Sequence, residues 1–427
     1  ATATATAPRE PAQLEALRSN ADAQGQRAYA WNLLLRLATT RDPAGHPAFE
    51  SWHGDHETFA PTPLGAGPRH LRALRNSRTV TAADVGASAG VAAGGGHAAT
   101  NAPLLAYTLY NAAAWQHIRR ERLYLRTRLE ELRTTAPGAV RPGDERSVPA
   151  FPRDAIVLKT AWWPFAPDRP APLPVWDPQL NPVRAGGNDY TGWRRIVLVD
   201  PRPRVEAHDV ARPDTASAPT AADLRADPTY GAAVDFAGHR FANPRRVPLE
   251  ALYSVPVDAA LARSTMRDPE ARRAALLALG RELRAGDVLA LVALHVATRE
   301  LHDWTWATWW WHDEAHAGPY AQGRPEALDG PWRNYLMQVA FDDATPAAAD
   351  GGAHVCFNPW LEARFPDGGN GGGTRSNCLA CHRRASYPPV PFLPVTRGPP
   401  QRGADPAYEA GRLRTSFLWS IPLRAAP

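Results

Sequence analysis

Apolar positions in the first forty residues recur at helical steps: Leu14 and Leu17, then Tyr29, Leu33 and Leu37. That spacing predicts helix over 11–40. A loop rich in His, Pro and Gly comes next over 41–68, and 80–100 ("VTAADVGASAGVAAGGGHAAT") is small-residue and Gly-rich, so irregular connection is expected there. The segment 103–134 ("PLLAYTLYNAAAWQHIRRERLYLRTRLEELRT") reads as one long helix, its second half amphipathic with Arg and Glu on the wet face. After "PGAVRPGDE" the pattern changes. Short apolar runs bounded by turn residues at 155–165 ("AIVLKTAWWPF"), 194–201, 287–298 and 303–312 predict strands, with a helix over 268–284 between them. From 312 onward Pro and Gly dominate, and "PDGGNGGGTRSN" (366–377) reads as a flexible approach to the cysteine-bearing segment beyond it. The expectation is an α+β fold: a mainly helical N-terminal region, 1–140, then an antiparallel β-rich domain, 141–427, with long Pro/Gly-rich loops.

Composition narrows the class. With 427 residues, 44% of them hydrophobic, the chain can bury a sizeable core. Its 43 prolines imply long connections with fixed backbone angles, and its 15 tryptophans suit either a plain core or the walls of a flat pocket. The net charge of +5 is spread along the chain with no basic block interleaved with aromatics, so no nucleic-acid partner is expected. No run of 18 apolar residues occurs, so no membrane span is expected. The opening "ATATATAPREP" reads as a flexible end left after removal of a signal. Of 48 basic residues only Lys159 is lysine, all others being arginine. A lone lysine in such a chain marks a place where an amine is wanted, because only the amine loses its proton readily.

The chemistry concentrates late. Cys378, Cys381 and His382 spell C-x-x-C-H. Two thiols at i and i+3 on one helical turn can add to the two vinyl groups of one porphyrin edge, and the adjacent imidazole can bind the iron. A structural zinc site or a redox dithiol could use the same cysteines. Zinc would need further ligands from Cys356 or His, and a thioredoxin-type motif would need a βαβ context. Cys356 otherwise reads as a buried, inert thiol.

Around Cys378 the chain resembles c-type cytochromes. The resemblance implies one covalent haem c held by Cys378 and Cys381 with His382 on its iron, attachment outside the cytoplasm, and a periplasmic or secreted protein. Small carriers of that family place a ligating Met after the motif, whereas Met266 and Met337 both precede it here. The sixth iron position is therefore expected to be open, filled by His, or guarded. The stretch "FPRDAIVLK" (151–159), with a late C-x-x-C-H and a short tail, resembles the hydroxylamine-oxidising cytochromes with a lysine-crosslinked haem and their β-sheet cytochrome c-prime relatives. That resemblance implies a haem-proximal role for Lys159; the N-terminal helices have no counterpart in the group. Apolar residues at both parities around Lys159 also read as a strand buried on two sides, where an ammonium is costly unless paired or modified.

The group acting above the haem is expected to be Lys159 or one of three histidines: His295 in an apolar strand, His302 at the head of a Trp-dense strand, or His354, close in sequence to the motif. Lys159 with a packed stem and a solvated or paired head, and His295 as a satisfied core histidine, are the other readings. Trp304, Trp306, Thr308, Trp310 and His312 share one parity with His302 and form either a pocket wall or a core strand. "HDEAH" (312–316) has metal-ligand spacing but runs at once into "GPY", and "AGGGHA" lacks the Lys-Ser/Thr of a phosphate loop. No G-x-S-x-G elbow is present. The functional expectation is an oxidoreductase using an open or guarded haem iron on a small molecule. The alternative is an electron-transfer cytochrome that docks to a partner redox protein.

Overall fold

The computed structural model describes residues 11–62, 102–135, 146–181, 188–202, 232–301, 303–316, 318–341, 354–363, 374, 376–389 and 411–427. The expected irregular stretch 80–100, His302 and most of 366–377 lie outside the described residues.

The described helices are α1 (Pro11–Ser19), α2 (Ala23–Thr39), α3 (Asp55–Thr58), α4 (Ala112–Arg120), α5 (Arg126–Thr134), α6 (Ala259–Thr265) and α7 (Pro269–Leu279). Three short ones lie further on: α8 (Pro359–Glu362), α9 (Cys378–His382) and α10 (Ser420–Arg424). Strands β1 (His53–Gly54), β2 (Leu105–Tyr110) and β3 (Ile156–Phe165) precede β4 (Ala171–Val175), β5 (Arg195–Asp200), β6 (Val234–Phe236), β7 (His239–Phe241) and β8 (Arg245–Pro248). Then come β9 (Ser254–Pro256), β10 (Val288–Thr298), β11 (Thr305–Trp311), β12 (Tyr335–Ala340), β13 (Ser386–Tyr387) and β14 (Leu413–Arg414). The fold is α+β.

A seven-stranded sheet in the order β1-β2-β3-β10-β11-β12, with β9 also on β10, is antiparallel throughout. Smaller sheets join β4-β5-β8, β6-β7 and β13-β14. The long apolar runs became β3, β10 and β11, buried almost without interruption. One face of the large sheet is covered by helices. Tyr29 of α2 bonds Thr298, Tyr107 of β2 bonds Thr265 of α6, and Tyr29 packs edge-on against Phe341. The other face carries Tyr110, Val157, Ala297 and Trp306, packed with Cys356, Cys378, Leu379, Leu418 and Ile421 from the C-terminal quarter. The motif helix therefore lies against the sheet face opposite α2 and α6.

Two expectations need correcting. The segment 103–134 is not one helix. Its start is β2, paired with β3, and α4 begins only after Asn111, whose side chain accepts from Ala114 N at 3.0 Å. Helix α4 then stops before Arg122, which is in the left-handed region at φ 58°. A strand buried on both faces shows no polar alternation, so Leu105–Tyr110 was legible as neither type. The helix expected over 268–284 stops at Leu279, where Gly280 takes φ +72° and supplies a left-handed cap.

Asn358 fastens α8 to the sheet. Its fully buried Nδ2 donates to Thr308 Oγ1 at 2.7 Å and Trp309 O at 3.1 Å, while Oδ1 accepts from Trp360 N at 3.0 Å. Asn358→Ala strands several buried groups at once and is expected to cost on the order of 3 kcal/mol in urea unfolding. Asn358→Asp, which keeps the cap acceptor but not the donor, should recover only part of that. An unchanged unfolding midpoint for the alanine variant would contradict the assignment.

Candidate functional site

Antiparallel register sets Thr108, Lys159 and His295 side by side across β2, β3 and β10, and Val157, Ala297 and Trp306 in the next row. Directly paired residues in an antiparallel sheet point to the same face, so both rows look toward α9. Between them and the C-terminal segments lies a cavity that opens to solvent at its mouth. Val157, Ala297, Trp306, Leu361, Leu418 and Leu423 supply apolar walls; Lys159, His295, Glu362, Cys378, Cys381 and His382 supply the chemistry. Asp55, Thr108, Ser420 and Arg424 also reach it.

Helix α9 is held in place by its own first turn. Asn377 Oδ1 accepts from Ala380 N at 3.1 Å, and Nδ2 donates to His354 O at 3.0 Å. Backbone bonds from Cys356 N to Ser376 O, 2.9 Å, and from Cys378 N to Cys356 O, 3.0 Å, stitch the two approaches together. His382 lies over Trp306, ring centroids 4.0 Å apart, and its Nδ1 donates to Phe417 O at 2.8 Å. That bond fixes the tautomer and leaves Nε2 as the ring's lone-pair donor. Enclosure pushes the His382 imidazole down to about 4, against the pull of the Phe417 carbonyl, and the nearby Lys159 charge adds to the drop. The ring is therefore neutral at physiological pH.

His295 is buried and has no hydrogen-bond partner at Nδ1 or Nε2 among the described residues. Its Nδ1 lies 3.6 Å from Glu362 Oε1. Burial first, then His382 and Lys159, hold it well below the ordinary imidazole range. Burial raises the Glu362 carboxyl to about 7, against a backbone bond from Asn358 and the Lys159 charge. The thiols are likewise neutral: burial pushes Cys381 up to about 12 and Cys378 well above its usual value.

Two occupants suit these residues. His295, Glu362 and Cys378 offer ligand atoms within 4.8 Å of one another, a cluster able to hold a thiophilic divalent cation. A haem is the other candidate, and the motif residues are those that would hold it. Both motif cysteines and His382 line the cavity, its walls are apolar, and buried nitrogens at His295 and Trp306 lack partners. A thioether sulfur carries neither charge nor donor, so its burial costs little where a thiolate's would cost much. Cys378 cannot be thioether and metal thiolate at once.

The cavity brings together five expected residues: Lys159, His295, Cys378, Cys381 and His382. His354 is directed elsewhere, its Nε2 bonded to Val339 O at 2.7 Å, and does not line the cavity. No helix forms over 312–316; His312 Nδ1 accepts from Glu314 N instead. Cys356 is buried, as expected, but its sulfur is 3.5 Å from Cys378 Sγ. The contribution of Trp419, Ser420, Leu423 and Arg424 escaped sequence reading, because the tail carries no motif and reaches the cavity only through long-range packing. Among the described residues no helix is long and apolar enough to cross a membrane. Comparison of the chain with protein-family models, curated proteins and solved structures finds no match.

Lys159 disfavours protonation of both imidazoles, so removing its charge should raise their pKa values. In protein prepared without haem, Lys159→Met is expected to move the His382 titration upward from about 4 in an NMR pH series. A superimposable titration would place the amine out of electrostatic reach.

Proposed function

We propose that this chain is a monohaem c-type redox protein of the periplasm or the extracellular space. In this reading it is an oxidoreductase that acts on a small molecule at a guarded iron. The observation that carries the reading is the convergence of Cys378, Cys381 and His382 on one apolar cavity, with Nδ1 of His382 already committed to the Phe417 carbonyl.

In this reading Cys378 and Cys381 would hold a haem through two thioethers, each S–H adding across one vinyl double bond to give one C–S and one C–H bond with no oxidant consumed. His382 Nε2 would be the residue holding the iron, and Trp306 packs against its ring. Bound haem supplies one-electron transfer and a coordination site for small ligands. Around that site Val157, Ala297, Leu361 and Leu418 exclude water. Lys159 and Glu362 are the groups able to hold or give up a proton, Glu362 near neutral pH because of its burial. The substrate in this reading is a small molecule such as hydroxylamine, nitric oxide or peroxide.

Exported from a host competent for cytochrome maturation, the protein should stay coloured after denaturation and weigh one haem more than its polypeptide. Cys378→Ser and Cys381→Ser should each leave a single thioether, whereas Cys356→Ser should keep both. Colourless protein with the bare polypeptide mass would remove the haem reading, and stoichiometric zinc in it would assign the site to the His295–Glu362–Cys378 cluster.

A further inference from the structure

We infer that in the haem-free chain His295, Glu362 and Cys378 bind one zinc-type divalent cation, and that this metal and the haem compete for Cys378. The inference goes beyond the haem reading and does not rest on it.

Three observations converge on the cluster. The first is spacing. Glu362 Oε1 lies 3.6 Å from His295 Nδ1 and 3.8 Å from Cys378 Sγ, and the three ligand atoms all fall within 4.8 Å of one another. Tetrahedral zinc with bonds of about 2.0–2.3 Å holds its ligand atoms about 3.3–3.8 Å apart, so both Glu362 edges already match. The second is unmet bonding. Both ring nitrogens of His295 are buried without a hydrogen-bond partner among the described residues, whereas His117 is anchored on Pro149 O, His312 on Glu314 N and His382 on Phe417 O. A buried polar atom left unpaired is expensive, and a metal bond would supply a partner. The His295 ring stacks on that of His382. Stacking uses a face of the ring and metal bonding uses a lone pair in its plane, so the two do not compete. The third is the anchoring of the carboxylate. Glu362 Oε2 accepts from Asn358 N, and Asn358 is itself bonded to Thr308 and Trp309 of the sheet. A ligating carboxylate held through its other oxygen is the arrangement that orients metal ligands, and it leaves Oε1 for His295 and Cys378.

Charge supports the same occupant. Zinc replaces the Cys378 thiol proton, which leaves to solvent, and Glu362 binds as carboxylate. Thiolate, carboxylate and neutral imidazole then sum with the cation to zero net charge, which a buried site tolerates. Lys159 stands beside His295 across the strands and acts against the metal. Two anionic ligands in direct contact outweigh one ammonium.

The test uses the full-length chain, prepared without haem and after haem attachment, with zinc as the probe. Haem-free wild type is expected to bind one zinc per chain by calorimetry and by elemental analysis after dialysis. His295→Gln, Glu362→Gln and Cys378→Ser should each bind at least about 100-fold more weakly, since loss of even an outer partner of a metal ligand costs about 10- to 100-fold. Cobalt in place of zinc should give wild type, but not Cys378→Ser, the near-ultraviolet absorption of a thiolate–metal bond. Haem-loaded wild type, whose Cys378 sulfur is a thioether, should bind zinc no better than haem-free Cys378→Ser. Two variants separate this inference from the haem reading. Cys381→Ser should bind zinc like wild type while losing one thioether, and Glu362→Gln should lose zinc while keeping both thioethers. No stoichiometric zinc in the haem-free chain, full affinity in His295→Gln or Glu362→Gln, or undiminished binding after haem attachment would overturn the inference. None of these outcomes bears on the thioethers, which denatured mass and colour report separately, and the haem-free chain alone decides the matter if no haem attaches.

Discussion

Two-sided burial of the β3–β10 pair governs the placement of everything else in the molecule. Strands covered on both faces must be apolar nearly throughout, and β3 and β10 are, apart from Lys159, His295 and a few threonines. A lysine and a histidine placed side by side in such a sheet need something opposite them that tolerates or uses polar atoms. The C-terminal quarter provides it. Helix α9, α8 and the tail lie over this row and leave a cavity between instead of a sealed core.

The row exists because β10 is irregular. Leu289 pairs with Pro164 and Leu291 with Trp162, but after Val292 the register shifts and Ala293 pairs with Ala161. One extra residue exchanges the faces along the rest of the strand. Without it His295 would share a face with Leu289 and Leu291, among the helices. With it, His295 stands beside Lys159 and faces the cysteines. A one-residue insertion thus decides whether this imidazole is core filler or site chemistry.

The lid is assembled from short pieces, each fixed by specific bonds. Asn358 and Asn377 act alike: each caps a helix of four or five residues with its carbonyl oxygen and reaches back with its amide to other chain segments. Helices this short have no intrinsic stability in water, so these two side chains and the Cys356–Ser376–Cys378 backbone bridge set where the motif sits. The same bridge places the Cys356 sulfur against Cys378, which is why that cysteine is a neighbour of the site without being part of the motif.

Much of this was legible in advance and some could not be. Long apolar runs announced β3, β5, β10 and β11, helical steps announced α1 and α2, and C-x-x-C-H announced α9 with its two thiols and imidazole on one turn. Those are local properties, written in spacing and residue type. Leu105–Tyr110 misled because a strand buried on both faces lacks the alternation that identifies strands. His354 misled because nearness along the chain is not nearness in space, and a carbonyl of β12 claims its ring. The bulge at Val292, the crossing of the tail over the sheet and the approach of His295 to His382 depend on contacts between residues far apart in sequence, which no local pattern encodes. The chain by itself determined which groups could do chemistry; tertiary packing decided which of them meet, because register and burial are settled only when strands and lid close on one another.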